Sequence, residues 1–175
     1  MKLNDIADGI IRHTIGLEGA YSDNKDDLGG KTNFGITEKV ARAEGYTGEM
    51  KDFTYEMAYI IYMRNYYCQM KIDKIAEKSY KLACKVFDFG VNSGNSRSIK
   101  TLQEAINMCS VGSPLIIDGL IGKGTLRQLG KIDSDRINLV FEANKIARYI
   151  EITKAREKNE TFIVGWLDNR TDLER

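Results

Sequence analysis

The stretch LEGAYSDNKDDLGGKTNFGIT, residues 17–37, decides how the rest of the chain is read. It gathers four acidic side chains, four glycines and two threonines into one turn-rich segment. Composition of that kind reads as a loop from Gly19 to Phe34, with a short hairpin through DLGGKT. Before it, Leu3, Ile6, Ala7, Ile10, Ile11 and Thr14 recur at helical spacing, which predicts an amphipathic helix over residues 4–15 ending at Gly16. Glu18 follows almost at once. Either the segment is a set of surface turns with solvated charges, or Glu18 faces a second carboxylate and a hydroxyl across a sugar-sized gap.

Beyond the segment the pattern is helical. Thr37 is expected to cap a short helix that stops at Gly45, and Thr54 to open a longer one with Ala58, Ile61, Tyr62, Asn65 and Tyr66 on a shared face. SYKLACKVFDFGVN places Leu82, Val86 and Phe89 inward and is expected to close at Gly90. Ser96 is read as the cap of SRSIKTLQEAINMC, with Ile99, Leu102, Ile106 and Cys109 as its stripe. SPLIIDGLIG reads as a small hairpin around its Asp-Gly turn. Asp133 or Ser134 starts the longest helix, to about residue 156, with Ile137, Val140, Phe141, Ala147 and Ile150 inward. The predicted fold class is all-α, mainly helical, with one or two small β-hairpins, packed as one compact unit.

Bulk properties narrow the function. A chain of 175 residues with 42% hydrophobic and 29% charged residues fits a soluble globular protein with a real core. A formal net charge of +1 gives no electrostatic case for nucleic acid or an anionic membrane. Cys68, Cys84 and Cys109 are far apart and form no CxxC pair, which argues for a reducing compartment without disulfides or structural zinc. The start MKLNDIADGIIRH carries aspartates where a signal peptide needs an unbroken apolar run, and no long apolar run follows elsewhere. The expectation is a protein made in the cytoplasm, with no membrane insertion, that reaches any outside substrate by release or by another export route.

Two nucleotide- and metal-binding lookalikes fail on spacing. GLIGKGT at 119–125 has Gly124 where a phosphate-binding loop needs Ser or Thr after the Lys, and Ile117 where it needs the first Gly. DNKDDLGG does not keep both the glycine and the twelfth-position glutamate of a calcium loop. His13 is the lone histidine, with no nucleophile patterned around it, so a structural role is expected for it.

Carboxylates remain. Glycoside hydrolysis needs an acid that protonates the leaving oxygen and a second group acting on water or on the sugar carbon. Glu18 lies just past a helix C-terminus, the negative pole, where a carboxylate's charged form is disfavoured and its pKa is expected to rise. Asp27 follows nine residues later, enough chain to cross a cleft and return. Thr32 offers a hydroxyl to hold a water, and Gly29 and Gly30 let a polysaccharide approach the backbone.

This segment resembles the signature of the family-108 glycoside hydrolases, phage endolysins and related bacterial lysozyme-like muramidases. Their pattern runs Glu-Gly-Gly-Tyr, a short loop, then Asp-x-Gly-Gly-x-Thr-x-x-Gly-Ile-Thr. Glu18 matches the catalytic glutamate, and Asp27, Gly29, Gly30, Thr32, Gly35, Ile36 and Thr37 match the rest. The Glu-to-Asp interval also looks like that of phage-type lysozymes, which invert, although the Asp-to-Thr interval is one residue shorter here. VFDFGVNSG, LQEAIN, DGLIGKGT and FIVGWLDNR resemble the peptidoglycan-binding half often found behind the signature. Ala20 replaces the second glycine of Glu-Gly-Gly-Tyr, and Lys123 replaces a usual proline. Related sequences also carry the label of secretion activator.

The resemblance implies a lysozyme-like catalytic region over 1–88 and a peptidoglycan-binding-like helical region over 89–175. It implies an N-acetylmuramidase with Glu18, Asp27 and Thr32 catalytic, Tyr21, Gly29, Gly30 and Asn92 against substrate, no metal and no cofactor. The expected partner is the peptidoglycan glycan strand, met by a monomer. The rival is a non-catalytic cell-wall-binding or secretion-accessory protein on the same fold, and Ala20 is the residue that keeps it open. Asp88 reads as a buried polar group satisfying its surroundings, and Trp166 as a core anchor.

Overall fold

A computed structural model describes residues 3–18, 21–22, 30–155, 164, 167–168 and 171, with the backbone alone at 3–4 and 17–18. The chain is mainly helical, as its apolar periodicity predicts. Contacts divide it into a first unit, Met1–Gln69, and a second, Met70–Arg175.

The first unit opens with α1 (Leu3–Glu18), which buries Ala7, Ile10, Ile11, Thr14 and Ile15. The expected stop at Gly16 is wrong: the helix runs through it to Glu18. Nothing lies within 4 Å of where a Gly16 side chain would sit, and Ile15 still anchors that turn in the core. An isolated glycine costs a helix only about 1 kcal/mol, which such burial offsets. Strands β1 (Thr32–Asn33) and β2 (Ile36–Thr37) pair antiparallel. They lead into α2 (Glu38–Ala43), capped by the Thr37 hydroxyl and followed by Gly45 at φ +89°. A 3-10 turn (Met50–Asp52) precedes α3 (Tyr55–Tyr62), capped by Thr54, which continues as a π-helical turn over Met63–Cys68.

The second unit comprises α4 (Ile72–Ala76), α5 (Tyr80–Ser93), α6 (Asn95–Cys109), α7 (Lys123–Leu129) and α8 (Ser134–Ala155). The expected stripes of α5 and α6 are buried: Leu82, Val86 and Phe89, then Ile99, Leu102, Ile106 and Cys109. Gly90 does not end α5. It sits within the helix because the Met70 side chain occupies the space a Cβ would take. The helix ends instead at Gly94, at φ +89°, which also serves as the cap of α6, so Ser96 lies inside the first turn and is not the cap. Asp133 caps α8 by accepting from the Arg136 N–H at 2.9 Å.

Two further expectations are corrected. Residues 113–122 form no hairpin, and β1–β2 is the one sheet among the described residues. Within α8, Ile137 and Phe141 are buried, but Ala147 and Ile150 are exposed and Val140 is half-buried. The inward face instead carries Asn138, Glu142, Lys145 and Tyr149, polar residues that an apolar-periodicity reading assigns to solvent. Trp166 lies outside the described residues.

Candidate active site

The site segment is built on the far end of α1. That helix has no basic residue in its last turn, so the backbone carbonyls around Glu18 have no cation beside them in the sequence. The chain is described again at Tyr21, which is exposed, and at Ser22, which forms an antiparallel bridge with Thr32. Four residues of extended chain reach at most about 14 Å, so Glu18 is tethered close to that bridge. Asp27, Gly29 and Ala20 lie outside the described residues.

Thr32 is paired on both sides, with Ser22 through both backbone hydrogen bonds and with Thr37 in the sheet register. Thr32 is half-buried, and its hydroxyl donates to the Gly30 carbonyl at 3.2 Å in an exposed hydrogen bond. Gly30 has φ +67°, so this position favours glycine for its backbone. The hairpin tip, Phe34 at φ +50° and Gly35 at φ +74°, has the two left-handed residues of a type I′ turn. A left-handed phenylalanine is strained, and two contacts hold it. The Tyr62 hydroxyl donates to the Phe34 carbonyl at 3.0 Å, and the Phe34 ring meets Tyr55 edge-on at 6.0 Å. Buried Asn33 donates its amide to the carbonyls of Met50 at 2.8 Å and Phe53 at 3.2 Å, fixing β1 to the 3-10 turn.

Asn33, Tyr55 and Tyr62 were not picked out by the motif, although they hold its threonine in place. The signal available was an Asn directly before a left-handed pair, in a short strand with no other anchor. Of the clustered tyrosines, Tyr62 and Tyr67 are buried, while Tyr55, Tyr59 and Tyr66 are half-buried. Burial pushes the Tyr55 and Tyr59 hydroxyls above the usual phenol range. Arg12 lies over the Tyr55 ring at 5.6 Å while its Nε binds Asp8 at 2.7 Å; His13 is exposed on the same helix.

In the second unit, the LQEAIN and DGLIGKGT motifs prove to be one structure. Buried Gln103 accepts from the Gly119 N–H at 2.9 Å and donates to the Asp118 carboxylate at 2.8 Å and the Leu120 carbonyl at 3.0 Å. Asp118 also accepts from the Leu120 N–H at 2.8 Å; the Gln103 amide, then that N–H, holds its carboxyl below the usual range. Gly119 has φ +80°, and a Cβ there would come 2.6 Å from the Ser96 hydroxyl. This turn is held by a side chain, which is why no strand pairing is needed. Asn92 is exposed on α5, its carbonyl oxygen accepting from the Ser93 hydroxyl at 3.3 Å, and Asp88 is buried on the same helix. Among the described residues no cluster of three His, Cys, Asp or Glu side chains could hold a metal ion.

Sequence comparison assigns both halves. Residues 11–94 match the family model of glycosyl hydrolase 108, and residues 97–171 match that of a predicted peptidoglycan domain. The first stretch is thus similar to glycosyl hydrolase 108 and the second to a predicted peptidoglycan domain. The stretch similar to glycosyl hydrolase 108 covers the second half of α1, the Ser22–Thr32 bridge and the hairpin, and ends at Gly94 between α5 and α6. The stretch similar to the peptidoglycan domain contains the whole Gln103 network. Among solved structures, that of Brucella abortus SagA is similar at 28% identity and a TM-score of 0.76, over 94% of this chain and 89% of that one. No curated protein matches the chain by sequence. No described helix is long and apolar enough to cross a membrane.

Proposed function

We propose that the protein is an N-acetylmuramidase that cleaves the glycan backbone of peptidoglycan by acid/base hydrolysis. The observation that supports it most is the tie between Ser22 and Thr32, which brings the motif's threonine back beside the end of the helix carrying Glu18, within the glycosyl hydrolase 108 region. In this reading Glu18 gives its proton to the glycosidic oxygen as the bond to the anomeric carbon breaks. A water, oriented by the Thr32 hydroxyl, loses a proton to Asp27 and attacks that carbon from the opposite face. Inversion follows if the two carboxyl groups stand about 6.5–9.5 Å apart. Tyr21, Gly29 and Gly30 line the sugar path in this reading; Asn92 belongs to the second unit and is kept as a separate substrate contact. No cofactor takes part.

In this reading residues 1–88 carry catalysis and 89–175 hold the wall, in a monomer that acts on the wall after release or export. Purified peptidoglycan digested by the protein is expected to release fragments that carry N-acetylmuramic acid at their new reducing ends, by mass spectrometry after borohydride reduction. N-acetylglucosamine at those ends would reject the muramidase reading. Wall binding with no new ends at all would support the accessory-protein reading.

A further inference from the structure

A small cavity of about 250 Å³ opens in the second unit where the end of α5, the start of α6 and the last turns of α8 come together. Asn92 and Ser93 line it from α5, Arg97 from α6, and Arg148, Tyr149 and Ile152 from α8. Tyr149 is buried and Ile152 and Arg148 are half-buried, while Asn92 and Arg97 are exposed. No carboxylate is among these residues, and every polar side chain in the set can donate a hydrogen bond. The Ser93 hydroxyl donates to the Asn92 amide oxygen at 3.3 Å, which occupies that acceptor and leaves the Asn92 NH2 to donate.

The charges do not cancel. Arg97 has no ion-pair partner among the described residues. Arg148 is paired once, through Nη1 to exposed Glu151 at 3.1 Å, so its Nε–Nη2 edge stays open. Two guanidinium groups against one carboxylate leave the site cationic by one. Arg97 also stands in the first turn of α6, a helix of 15 residues whose cap, Gly94, has no side chain to offer and whose first turn carries no acid. The positive end of that helix therefore adds to the guanidinium charge instead of being neutralised. Two planar guanidinium groups over a partly apolar base are the pattern that holds an oxyanion by paired N–H donors.

We propose that this cavity binds an oxyanion of the cell-wall polymer, a stem-peptide carboxylate or a phosphate ester, between Arg97 and Arg148. The oxyanion rests on the cavity alone; the wall as its source rests on the hydrolase reading. The full chain is titrated at constant ionic strength with disaccharide-peptides prepared from purified peptidoglycan, with the same fragments after amidation of their carboxylates, and with inorganic phosphate. The Nε–H signals of Arg97 and Arg148 are followed by NMR. Free fragments or phosphate are expected to shift both signals saturably, and Arg97→Gln to weaken that binding about tenfold. Arg97 is exposed, so the variant removes a charge without disturbing the core. Fragments that bind about tenfold more weakly once amidated identify the carboxylate as the source, and binding of phosphate alone identifies the phosphate ester. No saturable shift with either anion, unchanged binding by Arg97→Gln, or fragments that bind equally well after amidation while phosphate does not bind would overturn the proposal. Reducing-end release from purified peptidoglycan is measured on the same wild-type sample. Release without anion binding removes this site and leaves the hydrolase reading intact; anion binding without release does the reverse.

Discussion

Ser22 and Thr32 exchange both backbone hydrogen bonds, at 2.8 and 2.9 Å, and so close the acidic glycine-rich segment into an antiparallel loop only four residues after Glu18. Thr32 in turn belongs to the hairpin that Asn33 and Tyr62 fasten to the 3-10 turn and α3. The hydroxyl assigned to water positioning thus sits on a braced backbone. Thr32→Val keeps a β-branched side chain and removes only that hydroxyl. Glycan release is expected to fall about 100-fold with the melting temperature nearly unchanged. Unchanged release would take Thr32 out of the mechanism.

Asn33 is a structural bolt. Asn33→Ala leaves the Met50 and Phe53 carbonyls without their buried donor, at a cost of about 1–3 kcal/mol. Urea unfolding is expected to show the loss as a lower midpoint with an unchanged slope, because the surface exposed on unfolding stays the same.

Two glycines with opposite surroundings are expected to respond with opposite signs. Gly16→Ala adds a methyl group in open space on α1 and is expected to stabilise by about 0.5–1 kcal/mol. Gly119→Ala forces an alanine into φ +80° and against Ser96, costing about 2 kcal/mol or more. Melting temperatures of the two variants check both signs.

Asp118 is expected to contribute acid-sensitive stability. Its carboxyl is held below the usual range by Gln103 and then by the Leu120 N–H. The native state therefore binds its proton less readily than the unfolded chain. The contribution is fully present above the ordinary aspartate value of about 4 and is lost as pH falls through the lower folded value. The stability gap between wild type and Asp118→Asn is expected to be constant well above the ordinary aspartate value and to shrink as pH falls below it. A gap that grows on acidification contradicts this.

The sequence was most legible where one physical signal acted alone. Leu82, Val86 and Phe89, or Ile99, Leu102 and Ile106, face the core because nothing on those helices competes with apolar periodicity. Thr37 and Thr54 were readable as caps for the same local reason. The misread positions are those where tertiary contacts overrule a local preference. Gly16 and Gly90 look like stops, but Ile15 anchors one helix end and Met70 fills the space beside the other glycine. Asp118-Gly119 looks like a hairpin turn, but Gln103, sixteen positions upstream of Gly119, supplies the hydrogen bonds a partner strand would. Phe34 takes a left-handed conformation that its side chain disfavours, held by Tyr62 from twenty-eight positions away. Asn138, Glu142 and Lys145 lie off the apolar stripe read for α8 and are nonetheless buried. In the motif segment, Thr32 and Gly30 stand out through their pattern, whereas Asn33 and Tyr62, which fasten the hairpin, carry no motif signal.

The central claim is that Glu18 is the acid, and reducing-end release from purified peptidoglycan by wild type and Glu18→Gln tests it most directly. Glutamine keeps the shape and cannot protonate a leaving group. The account predicts release by wild type, a loss of at least 100-fold in the variant, and equal binding of both to insoluble peptidoglycan. Equal release by both proteins, or none by either with wall binding retained, would contradict it.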